Sequence, residues 1–126
     1  MGNVNSESPR TAGAVADAVR IVDSPPHERY ELWVRDDLVG ILGYRRDSAG
    51  PYGDVLTLLH TVVREDRSGR GWAAVLVRAV LDRARSEGAR IRPVCTYVTR
   101  FLGTHTEYLD LLDEQPDQAR STTTGA

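Results

Sequence analysis

Two short patterns of alternating apolar and polar residues open the part of the sequence that we expect to fold. Val19 to Val22 predicts a first strand, and Ser24-Pro25-Pro26-His27 ends it, because proline cannot donate to a β-ladder. A tight turn at Asp36-Asp37 and a returning strand from Leu38 to Arg45 indicate a β-hairpin. The first strand of that hairpin has apolar residues at every second position: Tyr30, Leu32 and Val34.

A long apolar stretch and a helical stripe follow the hairpin. After a turn at Ser48-Ala49-Gly50-Pro51, Asp54 to Val63 is rich in Val, Leu and Thr and predicts the central strand. An amphipathic helix is predicted next, and Gly88 ends it, as glycine commonly does after a last helical turn. The apolar stripe of this helix recurs at i, i+3, i+4, i+7, i+8 and i+11: Ala73, Leu76, Val77, Val80, Leu81 and Ala84.

The last third of the sequence predicts a further strand from Ala89 to Val98 and a short closing helix from Thr104 to Asp113. The fold class is therefore α/β in the α+β sense: a mixed, mainly antiparallel sheet, one long helix after the central strand, and a short C-terminal helix. The strand-helix-strand unit predicts a right-handed parallel crossover. Its site is expected at the carboxyl end of the central strand.

Composition predicts one small domain between two polar tails. Residues 1–17 and 114–126 are rich in small and polar side chains, so we expect disordered tails around a domain spanning 18–113 of the 126 residues. The net charge of −2 argues against a general nucleic-acid-binding protein. A single cysteine excludes an internal disulfide and fits a cytoplasmic protein, and no apolar run reaches the length of a membrane helix. No metal site is expected.

A glycine turn between the central strand and the helix carries the candidate chemistry: Ser68-Gly69-Arg70-Gly71-Trp72-Ala73. The first turn of a helix has N–H groups without partners, and the helix dipole adds partial positive charge there. Glycines let a diphosphate approach these groups closely. Arg67 and Arg70 add charge-assisted contacts to phosphate.

Two other phosphate motifs are rejected on spacing. Gly69-x-Gly71-x-x-Ala74 formally fits the dinucleotide fingerprint, but the loop before it is long and charged, and no acidic residue follows the next strand to hold a ribose. A Walker-type phosphate loop is excluded, because the sequence has no Gly-Lys-Ser/Thr.

The sequence resembles the GCN5-related N-acetyltransferases, and more narrowly their compact YjdJ-type subgroup, over roughly Val19 to Leu112. One departure is Ser68, which stands where the acyl-CoA loop of the family has Arg or Gln, with Arg67 one place earlier. The matching pieces, in chain order, are the Arg29 to Tyr44 hairpin, His60-Thr61-x-Val63, Gly69-Arg70-Gly71, Leu81-Asp82-x-Ala84-Arg85, Pro93-x-Cys95-x-Tyr97 and Glu107-Tyr108-Leu109-x-Leu111.

The resemblance implies an N-acetyltransferase that uses acetyl-CoA or coenzyme A. It places the pantetheine along the central strand and the diphosphate on the glycine turn. The next strand must then splay away, and Pro93, which lacks an N–H, either helps to open that gap or only marks a strand edge. The implied cofactor contacts are Val62, Val63, Arg67, Ser68, Gly69, Arg70, Gly71, Trp72 and Ala73.

Few residues near that gap suit acetyl transfer, which needs a neutral amine, a polarised carbonyl and a proton for the departing thiolate. Cys95 is either a covalent acyl carrier or a small buried apolar residue. His60 is either a proton acceptor near neutral pH or a structural histidine. Tyr97 and Tyr108 either donate a proton to the CoA sulfur or pack in the core.

The acceptor is an amine of a protein, a peptide or a small molecule. Larger members of the family have two helices between the first strand and the hairpin, whereas this chain has about six residues there. The resemblance thus implies an open acceptor site. We also expect a monomer or a weak homodimer. A non-catalytic CoA-binding or protein-interaction module of the same fold stays as the alternative, because the central strand has no obvious Glu base.

Overall fold

The computed structural model of the protein describes residues 18–48 and 53–113. Both predicted tails lie outside the described residues, as do Ala49, Gly50 and Pro51 of one predicted turn. The described residues form a five-stranded sheet whose strands follow one another in sequence order. The first four strands pair antiparallel with their neighbours, and the fifth strand pairs in parallel with the fourth. The strands are β1 (Val19–Ser24), β2 (Arg29–Val34), β3 (Asp37–Ser48), β4 (Asp54–Val63) and β5 (Arg90–Pro93).

The predicted first strand, hairpin and central strand are confirmed. A 3-10 turn over Pro25–His27 separates β1 from β2, where the prolines break the ladder. The hairpin turn lies one residue earlier than predicted, and Arg35 adopts a positive φ of 56° there. β4 has the predicted bounds, and its position between β3 and β5 makes it an interior strand.

Helix α1 (Trp72–Glu87) covers one face of the sheet and supplies much of the core. Its predicted apolar stripe is buried except for Ala73, which is half-buried, and burial stabilises the fold by roughly 1.5–3 kcal/mol for each large side chain. Gly88 ends the helix with φ 73°, and its N–H donates to the last carbonyls of the helix, as predicted. The buried stripe consists of Leu76, Val77, Val80, Leu81 and Ala84.

The predicted strand from Ala89 to Val98 is wrong beyond Pro93, where β5 ends. The N–H groups of Val94 and Cys95 both donate to the carbonyl of Leu58, at 3.0 and 2.8 Å, so the chain turns there. Helix α2 (Thr96–Thr104) follows, and its buried residues have helical spacing: Val98, Phe101 and Leu102. Cys95 therefore lies at the start of a helix and not within a strand.

The closing helix predicted for Thr104 to Asp113 is a 3-10 helix over Thr106–Leu111. It packs on α1 through Tyr108, and the chain then bridges Leu112 to Ile91 beside β5. No helix in the described residues has both the length and the apolar character that crossing a membrane requires.

A polar network lies at the end of the sheet near the last turn of α1. Tyr44 donates to Asp23 at 2.6 Å, and its ring is 5.0 Å from that of Tyr30. Arg46 donates to Asp54 at 3.0 Å and pairs with Glu87 at 3.6 Å. Burial, together with the hydrogen bond to Asp23, raises the pKa of Tyr44 well above its ordinary value. This network fixes the end of the sheet opposite the glycine turn.

Candidate active site

A gap opens between β4 and β5 because their pairing is short. The parallel register runs from Val55↔Arg90 to Leu58↔Pro93 and then stops, since α2 follows in place of a longer strand. β4 continues to Val63 and remains paired with β3 on its other side. The last part of β4 thus has one edge that faces no strand in the described structure.

A β-bulge decides which backbone groups face that gap. Gly43 pairs with His60 and Tyr44 with Leu58, so Leu59 is an extra residue in β4. Beyond the bulge, the N–H of Arg64 donates to the carbonyl of Val39 at 2.8 Å. Bonded and non-bonded pairs alternate in an antiparallel ladder, so Val62 bonds Ile41 of β3. Thr61 and Val63 therefore direct their N–H and C=O groups into the gap.

The prediction that Val62 and Val63 would both bond pantetheine depends on this alternation. Val63 faces the gap, whereas the backbone groups of Val62 face β3 and its side chain is 53% exposed. Thr61, and not Val62, is thus the second residue of β4 whose backbone groups face the gap. A one-residue bulge leaves no clear signal in the sequence, so Thr61 could not be identified as a gap-facing residue from the sequence.

The glycine turn lies beyond the end of β4 and leads directly into α1. Gly69 and Gly71 both have φ 80°, which is accessible to glycine at little cost, and a Cβ at either position would meet no atom within 4 Å. Gly71 is the N-cap of α1, and no side chain caps the helix or places a negative charge in its first turn. The amides that open α1 are thus available to an anion.

A pocket of about 230 Å³ joins the turn to the gap. It brings together most of the cofactor residues predicted from the sequence, and it adds Tyr97 from the first turn of α2. The pocket is lined by Val63, Ser68, Gly69, Gly71, Trp72, Ala73 and Tyr97.

The predicted basic and polar side chains of the turn differ in whether they are free to bind a phosphate. Arg67 pairs with Asp37 of the hairpin at 2.7 Å, and the Ser68 hydroxyl donates to the Glu65 carbonyl at 2.9 Å. Arg70 is exposed and has no ion pair or hydrogen bond within the described part of the chain. Arg70 is thus the cation of the turn that is free to meet a phosphate.

The candidate catalytic residues do not form one cluster. Cys95 is 6% exposed, and its Sγ lies 3.4 Å from Oγ1 of Thr61, a contact that the sequence analysis did not anticipate. His60 is exposed and packs over Gly43, opposite it on β3. Because neighbouring strand residues point to opposite faces, His60 lies on the other side of the sheet from the Thr61 side chain.

Tyr108 lies outside this site. Its hydroxyl donates to Asp82 at 2.6 Å and accepts a hydrogen bond from Arg78 at 3.2 Å. Burial and the neighbouring Asp82 carboxylate raise its pKa. These contacts tie the 3-10 helix to α1 and support the packing interpretation of Tyr108.

A comparison with protein-family models decides the family. The model for GCN5-related N-acetyltransferases matches residues 29–111, which is well over half of the chain. The chain belongs to this family. Family membership brings with it acetyl-CoA as the acetyl donor, whereas the narrower YjdJ-type assignment stays a prediction. A search of curated proteins finds no match.

Solved structures show the same fold at low sequence identity. A GCN5-like N-acetyltransferase structure from Staphylococcus aureus aligns with a TM-score of 0.54 at 19% identity, over 82% of this chain and 98% of that one. Naa50 from Arabidopsis thaliana, in complex with a bisubstrate analogue CoA-Ac-MVNAL, aligns with a TM-score of 0.50 at 14% identity, over 79% and 66%.

A third structure, a ribosomal-protein-alanine N-acetyltransferase from Brucella melitensis biovar Abortus 2308, aligns with a TM-score of 0.49 at 17% identity, over 74% of this chain. The present chain spans 66% of the length of the Brucella and Arabidopsis proteins.

The residues of the gap and the turn fit acetyl-CoA. The amides that open α1 suit a diphosphate, and the free N–H and C=O groups of Thr61 and Val63 suit the two amides of pantetheine, which can pair like an added strand. Among residues 18–48 and 53–113, no group of His, Cys, Asp or Glu side chains is placed to hold a metal ion.

Proposed function

We propose that this protein transfers the acetyl group of acetyl-CoA to an amine, which approaches through an open face of the domain. The observation that carries the proposal is the unpaired edge of β4 next to an uncapped helix start. An enzyme of this family needs a donor site of that shape. In this chain the site exists because β5 ends at Pro93 and because a bulge interrupts the pairing of β4 with β3.

Both main-chain and side-chain groups bind the cofactor in this proposal. Main-chain amides from Gly71 onward hold the diphosphate, and Arg70 adds a charge-assisted contact to it. Thr61 and Val63 pair with the pantetheine amides. Trp72 and Tyr97 line the pocket between them. Acetyl-CoA, when bound, supplies the thioester whose acetyl group is transferred.

Cys95 is the proposed nucleophile, because its sulfur lies beside the β4 segment that faces the gap. Cys95 is also the N-cap residue of α2, where the chain turns away from β5. Tyr97, which lies in the first turn of α2 and lines the pocket, is the proposed proton donor to the CoA sulfur. The proton of the attacking amine passes to the Cys95 sulfur, because His60 lies on the opposite face of β4. Direct attack by the amine, without an acyl-Cys95, is the competing route.

A peptide amine is the first acceptor to test. The link between β1 and β2 is a single 3-10 turn, so no helix of the described chain lies between them to enclose a small acceptor. The Arabidopsis structure of the same fold contains an analogue that joins CoA to a peptide sequence. Both observations support an acceptor larger than a free metabolite.

The test is release of free CoA, measured with a thiol reagent, in the presence of acetyl-CoA and a panel of peptides and polyamines. Turnover that depends on the acceptor supports the proposal, and Cys95→Ala separates the two routes. Full turnover by Cys95→Ala rejects the covalent route. Tight acetyl-CoA binding without turnover for any acceptor rejects the enzyme assignment.

The alternative function is a CoA-binding module without catalysis. It is favoured by one observation: β4 has no carboxylate between Val55 and Val63, and His60 lies across the sheet from Cys95. A cytoplasmic location and a monomeric or weakly dimeric state accompany either function as proposals. The one cysteine is a free thiol, which fits a reducing compartment.

A further inference from the structure

We propose that Thr61 is a positioning residue for acetyl transfer through Cys95, because its hydroxyl holds the Cys95 sulfur at the gap between β4 and β5. The inference rests on the proposed function and assigns a role within it. It concerns a side chain whose only hydrogen-bond partner in the described structure is that sulfur.

The backbone of Cys95 is fixed on both sides. Its N–H donates to the Leu58 carbonyl at 2.8 Å, which ties it to β4. Its carbonyl accepts the N–H of Thr99 at 3.1 Å and the Thr99 hydroxyl at 3.2 Å, which ties it to α2. Rotation about the Cα–Cβ bond is therefore the freedom that remains, and a contact to Sγ decides where the sulfur points.

Thr61 is well suited to supply that contact. Its side chain is β-branched, so its χ1 angle is restricted and its hydroxyl is held in place by the strand. Its Oγ1 lies 3.4 Å from the Cys95 Sγ, within hydrogen-bonding distance for sulfur. The bulge at Leu59 turns the backbone groups of the same residue toward the gap. One residue thus contacts both the pantetheine path and the sulfur.

The hydroxyl can follow the charge on the sulfur because it both donates and accepts. Either atom can be the donor while Cys95 is a thiol, and the hydroxyl donates when the sulfur is a thiolate during the reaction. No other side chain in the described residues hydrogen-bonds the sulfur or forms an ion pair with it. The Thr61 hydroxyl is therefore the side-chain donor for the thiolate.

The chemistry balances without another reactant. The Cys95 sulfur forms a bond to the acetyl carbon, the bond from that carbon to the CoA sulfur breaks, and the proton lost by Cys95 is regained by CoA. The amine nitrogen then bonds the acetyl carbon, the bond to Cys95 breaks, and the proton released by the amine returns to the Cys95 sulfur. Thr61 donates a hydrogen bond to that sulfur when it attacks and when it leaves.

The experiment compares Thr61→Val, Thr61→Ser and Thr57→Val. Thr61→Val keeps the size and branching but loses the hydroxyl, and Thr61→Ser keeps the hydroxyl. Thr57→Val is the matched control, since Thr57 is a buried threonine of the same strand within the paired part of β4. Acetylation of Cys95 is followed by intact mass after mixing with acetyl-CoA alone, which is unambiguous because the chain has one cysteine.

We expect Thr61→Val to slow acetylation of Cys95 and kcat by about 10- to 100-fold, the usual loss for one hydrogen bond to a charged group. The KM for acetyl-CoA should stay within about 2-fold, because the main-chain contacts remain. Thr61→Ser should recover most of the rate, and Thr57→Val should behave as the wild type. If Thr61 had a purely structural role, its substitution would not lower kcat while leaving KM unchanged, and Thr61→Ser would not restore the rate.

Two outcomes overturn the proposal. Equal acetylation rates for Thr61→Val and Thr57→Val would show that the hydroxyl does not position the sulfur, while the N-acetyltransferase proposal stands. Absence of acetyl-Cys95 in the wild type, together with full turnover by Cys95→Ala, would remove the group that Thr61 is meant to position. Acetylation of Cys95 without turnover for any amine would contradict the acceptor assignment, but the Thr61 comparison would still be measured on the first step.

Discussion

Substitution of Gly71 by alanine tests the cofactor site with a control in the same helix. Gly71 and Gly88 lie at the two ends of α1, with φ of 80° and 73°, and a Cβ at either meets no atom within 4 Å. The cost to folding is therefore backbone strain alone at both positions, about 1–2 kcal/mol each. For a domain of this size that corresponds to a loss of roughly 5–15 °C in melting temperature.

The two variants should differ in their affinity for CoA. Relief of the strain at Gly71 rotates the peptide group that leads into the first turn of α1, which misdirects one or two amides that would bond the diphosphate. Each such charge-assisted bond contributes about 1.5–3 kcal/mol, so Gly71→Ala should weaken CoA binding at least ~10-fold. Gly88→Ala lies at the far end of the 16-residue helix and should bind CoA as the wild type does.

The assay is isothermal titration with CoA at a temperature where both variants remain folded, with melting curves measured in parallel. Similar losses of stability together with a selective loss of affinity in Gly71→Ala support the assignment. Unchanged CoA affinity in a folded Gly71→Ala protein refutes the reasoning, because the strained turn would then have no part in diphosphate binding.

Three further substitutions test other parts of the account. Pro93→Val restores an N–H that can extend β5 toward α2, so CoA affinity should fall several-fold in titration; unchanged affinity would mean that Pro93 only marks the end of the strand. Tyr44→Phe removes the donor to Asp23 and should cost about 1–3 kcal/mol in urea unfolding at pH 7. Because the pKa of Tyr44 is raised in the folded protein, its contribution to the free energy of unfolding is complete below pH ~10, the pKa of an unfolded tyrosine, and is lost as the pH rises further. If the stability of the wild type does not change with pH above that value, this role of Tyr44 is contradicted. For Glu31, burial opposes ionisation, but hydrogen bonds from neighbouring side chains lower its pKa below its ordinary value of 4.5. Its contribution to the free energy of unfolding is therefore present above that pH and lost as the pH falls below it. Glu31→Gln should thus be less stable than wild type by ~1 kcal/mol at pH 7 and lose that difference in acid; a constant difference would contradict the assignment.

The sequence predicts the sheet, the long helix and the glycine turn because each rests on a strong local pattern. β4 and the apolar stripe of α1 have clear periods, and Gly88 ends the helix as its conformation requires. The same reasoning extends β5 too far. The stretch after Pro93 is partly apolar and β-branched, so its composition resembles that of a strand. The helical spacing begins only at Val98 and Phe101, where the predicted strand already ends.

The site is predicted less completely than the fold because tertiary geometry decides it. The glycine turn is local, so its residues other than Arg70 come together as expected in one pocket with Val63. The bulge at Leu59 is set by pairing with β3 and moves the gap-facing position from Val62 to Thr61. The contact between Thr61 and Cys95 joins residues 34 positions apart, which no local pattern can reveal.

Amide chemical shifts during a titration with CoA test the central claim most directly. If CoA lies in the gap with its diphosphate on the start of α1, the N–H signals of Thr61, Val63 and the residues from Gly69 to Ala74 shift and saturate together. The signal of Val62, bonded to β3, shifts much less. Saturable shifts confined to another part of the domain, or none at millimolar CoA, would contradict the account.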